Sequence, residues 1–394
     1  MKRKATFRFF DRYLGIPILS VLSLFLQKKK RLPIENIRKI LVIKLAAIGD
    51  TILIIPMLRT LRNRFPNAEI TFMCSPINKS VAEKIPYINH IINCDVHSFF
   101  NPIIFFRFIR EIRKETYDVL IDAGQWERIN SIIAAFTKNN YSIGFKTSKQ
   151  FKHFLNNKVV YHLRNRHELE SFLDLLIPLG IIIGDDDKKL EYFLTQKNKE
   201  FAENFWADNN LIGKTVICLH PGCGENGKPR EWSNENYIAL GKRLLEYDST
   251  IKLLITGSYM DVERSKEIEE GITIQGIEKG VINVTGLYSL DDVVALIEKC
   301  ELIVCSNTGM LHIAGCVGTK TMGLHGPTNP SKWGSYSRKA VLIQSDKFCS
   351  PCLYIGHDYG CQRPDCMKYI TVDDVFIYIR KALTPELFQI ELNV

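Results

Sequence analysis

Short apolar runs alternate with amphipathic stretches along almost all of this 394-residue chain, and that alternation restricts the fold more than any other feature. Ile40–Leu45, Glu69–Cys74, Ile88–Cys94 and Tyr117–Asp122 are too short for helices and suit strands buried on both faces. Between them, Ile52–Phe65, Phe99–Glu115 and Ile129–Phe136 carry apolar residues at helical spacing, and Arg166–Leu179 adds a fourth such stretch. Strands that alternate with helices build a doubly wound parallel sheet.

The second half repeats the pattern without repeating the sequence. Strands are expected at Thr215–Leu219, Ile251–Thr256, Val281–Thr285, Leu302–Cys305 and Thr321–Leu324. Helices are expected at Asn234–Leu245, Val262–Glu270, Leu290–Lys299 and Met310–Val317, with a last one over Thr371–Leu383. The polar break Asp185-Asp-Asp-Lys-Lys189 separates the halves. The chain is long enough for two cores. The expected α/β architecture is therefore two facing Rossmann-like domains with a cleft between them. Their bounds are 37–190 and 191–370, preceded by a distinct segment 1–36 and followed by a C-terminal helical segment 371–394.

The formal charge of +9 looks like a nucleic-acid signal until it is located. Residues 1–31 hold nine Lys or Arg against the single acid Asp11, so the rest of the chain is nearly neutral, and no nucleic-acid partner is expected. The same segment holds the apolar stretch Tyr13–Leu26, shorter than the ~20 residues that span a bilayer. Lys28-Lys-Lys-Arg31 stands where a signal peptide would be cleaved. Apolar residues bracketed by cations suit a helix lying on an anionic lipid surface. The rival is a helix packed on its own domain. The first reading places the protein in the cytoplasm, peripheral on the inner face of the membrane. Seven scattered cysteines in mostly apolar stretches fit a reducing compartment.

Strand ends carry the chemistry in sheets of this kind. Asp50 and Gly49 lie just after the first strand, where Asp50 could act as a general base or merely cap a helix. No G-x-G-x-x-G follows that strand and no G-x-x-x-x-G-K-[ST] occurs, which disfavours pyridine-dinucleotide and P-loop chemistry. His220-Pro-Gly-Cys-Gly ends another strand in a glycine-rich loop containing Gly222, and Lys228 and Arg230 follow before Trp232. Ser306-Asn307-Thr308-Gly309 joins the strand at Leu302–Cys305 to a helix. Ser306, Asn307 and Thr308 read as capping residues and Gly309 as the point of a sharp turn. Such a junction leaves N–H groups at the positive end of a helix, where phosphate binds. His312 lies on the first helical turn, as a phosphate donor or a packed histidine. Gly326-Pro-Thr-Asn-Pro330 ends the next strand, so Gly326, Pro327 and Thr328 are expected to line the same pocket, with His325 a packing residue.

Taken together, Ile43-Lys-Leu-Ala-Ala-Ile-Gly-Asp-Thr51, Tyr117-Asp-Val-Leu-Ile-Asp122, Ile143-Gly-Phe145, His220-Pro-Gly…Lys228-Pro-Arg-Glu-Trp232, Val284-Thr-Gly286, Asn307-Thr-Gly-Met-Leu-His-Ile-Ala314 and Gly326-Pro-Thr-Asn-Pro330 resemble glycosyltransferase family 9, the ADP-heptose:lipopolysaccharide heptosyltransferases. The resemblance implies a GT-B fold and inverting, metal-independent transfer of heptose from ADP-heptose, or of a related sugar, to lipopolysaccharide core or a related glycolipid. By position it makes Asp50 the base, places Arg230 (with Lys228 as a substitute) at the family's phosphate-binding lysine, and assigns Thr308, Gly309 and His312 to the diphosphate loop. Asn307 stands where the family usually has Asp, and Ala46-Ala47 replaces its hydroxyl residue. Two rival readings are a nucleotide-sugar epimerase of the same fold and a non-catalytic scaffold at the membrane.

No cofactor is expected for catalysis. Cys349, Cys352, Cys361 and Cys366 have spacing compatible with a small structural zinc site, with free thiols or a disulfide pair as the rivals.

Overall fold

The computed structural model describes residues 11, 13, 15–25, 37–224, 227–273, 280–355, 361 and 365–384. Residues 1–10 and 26–36, which hold most of the basic segment, lie outside that set. The described chain forms two compact units, divided between Lys189 and Leu190.

Unit 1 runs α1 (Gly15–Phe25), β1 (Lys39–Ile43), α2 (Ile48–Leu53), α3 (Ile55–Arg64), β2 (Glu69–Cys74), α4 (Lys79–Ala82) and β3 (His90–Asn93). It continues through α5 (Pro102–Ile112), β4 (Thr116–Asp122), α6 (Arg128–Phe136), β5 (Lys138–Lys146), β6 (Lys158–Tyr161) and α7 (Glu168–Asp174). Its six parallel strands are ordered β3-β2-β1-β4-β5-β6. β1 and β4 lie at the centre and bury Ile40–Ile43 and Val119–Asp122 completely. Side chains of α5 and α6, among them Ile109, Ile112, Ile133 and Ala134, close the core over one face.

Three expectations need correction here. The stretch Ile52–Phe65 forms two helices, not one, beginning four residues earlier at Ile48. Pro56 has no N–H and its ring crowds the carbonyl four residues back, so the first helix stops before it. The stretch from Phe99 becomes a 3₁₀ turn, and α5 starts only at Pro102, where the Asn101 side chain accepts from Ile103 N at 2.9 Å. β5 and β6 were not anticipated: β5 opens on Lys138-Asn-Asn140, and β6 is a four-residue edge strand with neither end buried.

α1 packs against α6 through Leu19. Its N-terminal end is held where the Asp11 carboxylate accepts from Ile129 N at 2.9 Å. The helix therefore does pack on its own domain. It also turns an apolar edge outward, with Ile18 and Val21 exposed and Leu24 82% exposed. No described helix is long and apolar enough to cross a membrane.

Unit 2 comprises α8 (Gln196–Asp208), β7 (Thr215–His220), α9 (Asn234–Tyr247), β8 (Ile251–Ile255), α10 (Val262–Thr273), β9 (Val281–Asn283) and α11 (Leu290–Glu298). It ends with β10 (Leu302–Ser306), α12 (Gly309–Cys316), β11 (Lys320–His325), α13 (Pro330–Trp333), β12 (Ala340–Gln344) and α14 (Val372–Leu383). The sheet is again six parallel strands, β12-β11-β10-β7-β8-β9. α8 and β12 were not foreseen. A Thr195–Asn198 capping box starts α8, and Asn198 Nδ2 donates to Asp292 Oδ1 at 2.9 Å to tie it to α11. α14 lies against α9, with Phe376 edge-on to Tyr247. Trp232, fully buried, donates from Nε1 to Ile370 O at 2.8 Å and fixes the chain just past Arg230 to the same core.

Candidate active site

Asp50 sits on the first turn of α2, directly beyond the carboxyl end of β1. Asn78 holds this turn in place: its Nδ2 donates to Thr51 Oγ1 at 2.8 Å and to Lys44 O at 3.1 Å, while its Oδ1 accepts from Ser75 N at 2.9 Å. Lys44, the first residue after β1, is completely buried, and its ammonium lies 2.8 Å from Asp50 Oδ2. The same ammonium donates to Gln125 Oε1 at 2.6 Å, and Gln125 Nε2 reaches Asp50 Oδ2 at 3.4 Å. Burial works against the charge on Lys44, but Asp50, Glu127 and Glu168 outweigh it and hold the pKa above the ordinary lysine value. The Asp50 side chain remains 20% exposed, so its carboxylate is both fixed and reachable.

The loop after β4 is built to present Gln125. Buried Lys152 pairs with buried Asp122 at 3.1 Å and donates to Gly124 O, while Thr147 Oγ1 donates to Gln125 O at 2.6 Å. Glu127 closes the group, with Oε2 buried and unpartnered and its pKa pushed up by burial. Lys44, Gln125, Glu127 and Lys152 escaped the sequence reading. A lysine directly after the apolar run Ile40–Ile43 was the one available signal.

In unit 2 the two expected phosphate-binding stretches meet. Arg230 lies on a 3₁₀ turn, Lys228–Arg230, and its Nη1 donates to Asn307 Oδ1 at 3.1 Å. Asn307 Nδ2 donates in turn to Trp333 O at 2.6 Å. Asn307 is therefore engaged through both ends of its amide, and a carboxylate could not make the second bond. Thr308 is the N-cap of α12, yet its side chain makes no capping bond, and Thr308 Oγ1 is buried without a partner. Arg230 Nε is also buried and unpartnered. Buried donors left unpaired beside a helix N-terminus are costly unless a ligand takes them up. Gly309 is the first helical residue, and Ser306 is the last residue of β10 and not a cap, which differs from expectation.

The remaining expected residues lie behind or beside this group. Lys228 is exposed on the same 3₁₀ turn. His220 Nδ1 pairs with Thr256 Oγ1 at 3.0 Å, and burial brings the His220 pKa down to about 4. His325 is wholly buried against Thr328 Oγ1 at 3.0 Å, with its pKa lowered to about 3 by burial and by the nearby Arg230 charge. His312 is buried on the first turns of α12. Gly222 allows close approach of Asp261, whose carboxylate would fall 2.5 Å from an added Cβ. Gly326 does the same for Met367 and Cys366, while Pro327 O accepts from Cys352 N at 2.9 Å and Leu353 N at 2.7 Å. The cysteine segment thus folds onto the 326–328 loop. Cys366 is buried, Cys349, Cys352 and Cys361 are exposed, and among the described residues no three His, Cys, Asp or Glu side chains form a metal-ready group.

Comparison with known proteins agrees with this picture. A family model described as glycosyltransferase family 9 (heptosyltransferase) matches residues 105–362. Lipooligosaccharide heptosyltransferase 2 of Haemophilus influenzae is 26% identical over 315 residues, covering 77% of this chain and 88% of the relative. Among solved structures, a family 9 glycosyl transferase from Veillonella parvula aligns with TM-score 0.69 at 21% identity over 91% of this chain and 98% of its own. The ADP-heptose lipopolysaccharide heptosyltransferase II of Escherichia coli aligns with TM-score 0.66 at 21% identity, covering 88% and 98%. The shared fold is GT-B.

Proposed function

The chain belongs to glycosyltransferase family 9, and on that premise we propose that it transfers heptose from ADP-heptose to a lipopolysaccharide core sugar, with inversion and without a metal ion at the diphosphate. The similarity to heptosyltransferases named for lipopolysaccharide and lipooligosaccharide supports the donor and the acceptor class. The observation that carries the reading is the group of buried, unpartnered donors on Arg230 and Thr308 at the start of α12.

In this account Asp50 accepts the proton of an acceptor hydroxyl as that oxygen attacks the anomeric carbon. The bond from that carbon to the diphosphate breaks, its electron pair leaves with ADP, and a single displacement inverts the centre. Charge growing on the leaving phosphate is met by the Arg230 guanidinium, the Thr308 hydroxyl and the first N–H groups of α12. A fixed guanidinium supplies there the positive charge that a metal ion supplies elsewhere. Lys44 keeps the Asp50 carboxylate in place. The protein works on the cytoplasmic face of the membrane, held by the basic residues of 1–31 and the outward edge of α1.

Cys349, Cys352, Cys361 and Cys366 are assigned a structural zinc ion. Their spacing alone supports this: among the described residues no three of these side chains lie together as a metal-ready group. Elemental analysis of the purified protein should find about one zinc per chain; four freely titrating thiols and no metal would refute it.

The function is tested with a panel of nucleotide sugars and a deacylated core acceptor. ADP-heptose should raise the melting temperature most and be consumed only when acceptor is present. Consumption without acceptor would point to an epimerase, and no response to any nucleotide sugar to a scaffold.

A further inference from the structure

Unit 1 contains a concave feature, away from Asp50, that the transfer reaction does not use. It is a cavity of about 400 Å³, within the range of small-molecule sites, at the starts of β4 and β5. Asp50 follows the opposite, carboxyl end of β1, where substrates of such sheets bind.

The chemistry of the walls is selective. Arg113 and Lys138 line the cavity and no carboxylate does. Lys138 has no ion-pair partner among the described residues, and Arg113 donates from Nη1 to Phe136 O at 3.1 Å. Amides supply the remaining polarity. Asn139 Nδ2 is fixed on Thr137 O at 3.0 Å and Asn140 Nδ2 on Asp118 Oδ1 at 3.3 Å. Asn156 is only 3% exposed and its Nδ2 has no acceptor. Two unopposed cations select an anion, and fixed side-chain amides suit hydroxyl groups.

Phe154 completes the lining with a partly exposed ring that stacks on Phe151 at 6.5 Å and 17°. α1 packs against the 3₁₀ turn Lys152–Leu155 that carries Phe154. The cavity and α1 therefore flank the same 3₁₀ turn. We propose that this cavity binds a phosphate-bearing, hydroxyl-rich headgroup, a sugar phosphate or glycerol phosphate, presented by the bilayer on which α1 rests. The lipid source rests on the membrane reading above; the preference for phosphate together with hydroxyls does not.

The test uses the full chain with saturating ADP, so that the donor site is already filled. Glucose 1-phosphate should bind at least about tenfold more tightly than glucose or inorganic phosphate alone. R113Q/K138Q should lose about tenfold or more of that affinity while binding ADP as the wild type does, which shows that it folds. On vesicles, the same double variant should bind phosphatidylglycerol in phosphatidylcholine about tenfold more weakly than the wild type. Equal affinity of both proteins for glucose 1-phosphate, or binding that ADP abolishes, overturns the site. Wild-type vesicle binding by a variant that has lost the sugar phosphate overturns the lipid source. None of these measurements involves sugar transfer, so failure here and failure of the transferase reading are separable.

Discussion

The ammonium of Lys44, with no exposed surface, lies 2.8 Å from the carboxylate of Asp50, and Gln125 touches both. Removing that ammonium leaves Asp50, Glu127 and Glu168 without the cation that faces all three. Lys44→Met should cost about 1–3 kcal/mol of stability, less than a wholly buried pair because Asp50 is partly solvated. Turnover should fall at least about tenfold while ADP affinity stays unchanged, since the groups proposed to hold the donor are in the other unit. Denaturant melts and ADP calorimetry on the purified variant check both halves.

Thr308 gives a prediction with opposite signs. Its hydroxyl is buried and unpartnered, so Thr308→Val should leave the melting temperature unchanged or raise it. If that hydroxyl holds a phosphate oxygen, ADP affinity should drop by about fivefold to tenfold. Weaker stability with intact ADP binding would mean that the hydroxyl serves the fold alone.

Asn307→Asp restores the residue usual in the family and should nonetheless harm this chain. The carboxylate keeps the Arg230 contact but meets Trp333 O without a hydrogen to give it. The expected cost is about 1–3 kcal/mol, with weaker ADP binding from the added negative charge. An equally stable variant would show that the Trp333 contact is dispensable.

Two histidines with lowered pKa values set an acid limit. His220 and His325 have folded pKa values near 4 and 3, below the ordinary 6.5, both lowered chiefly by burial. Between those values the unfolded chain binds protons that the folded chain does not, so stability is lost as pH falls below about 6.5. The slope is up to about 1.4 kcal/mol per pH unit for each group. His325→Gln should reduce that slope in denaturant melts at pH 4.5–6.5; an unchanged slope would place the effect elsewhere.

Much of this was legible in the sequence because parallel strands buried on both faces announce themselves as apolar runs. β1, β2, β4, β7, β8 and β10 were all read that way. β5 was missed because its first three residues are polar, and β6 because a short edge strand needs no apolar run. The junction between β10 and α12 was readable because capping residues and a glycine mark a strand-to-helix turn. The Lys44–Asp50–Gln125 group was not, since Gln125 joins it only through the loop that Lys152 and Thr147 secure. Nothing local in the sequence reports that pairing.

The central claim is that unit 1 supplies the base while unit 2 holds the donor. It is tested most directly by Asp50→Asn, assayed for heptose transfer from ADP-heptose to a core acceptor and, on the same preparation, for ADP binding. The account predicts turnover lower by about 10²–10⁴ with the ADP dissociation constant within about twofold of the wild type. Turnover near the wild-type rate in a variant that still binds ADP would contradict it.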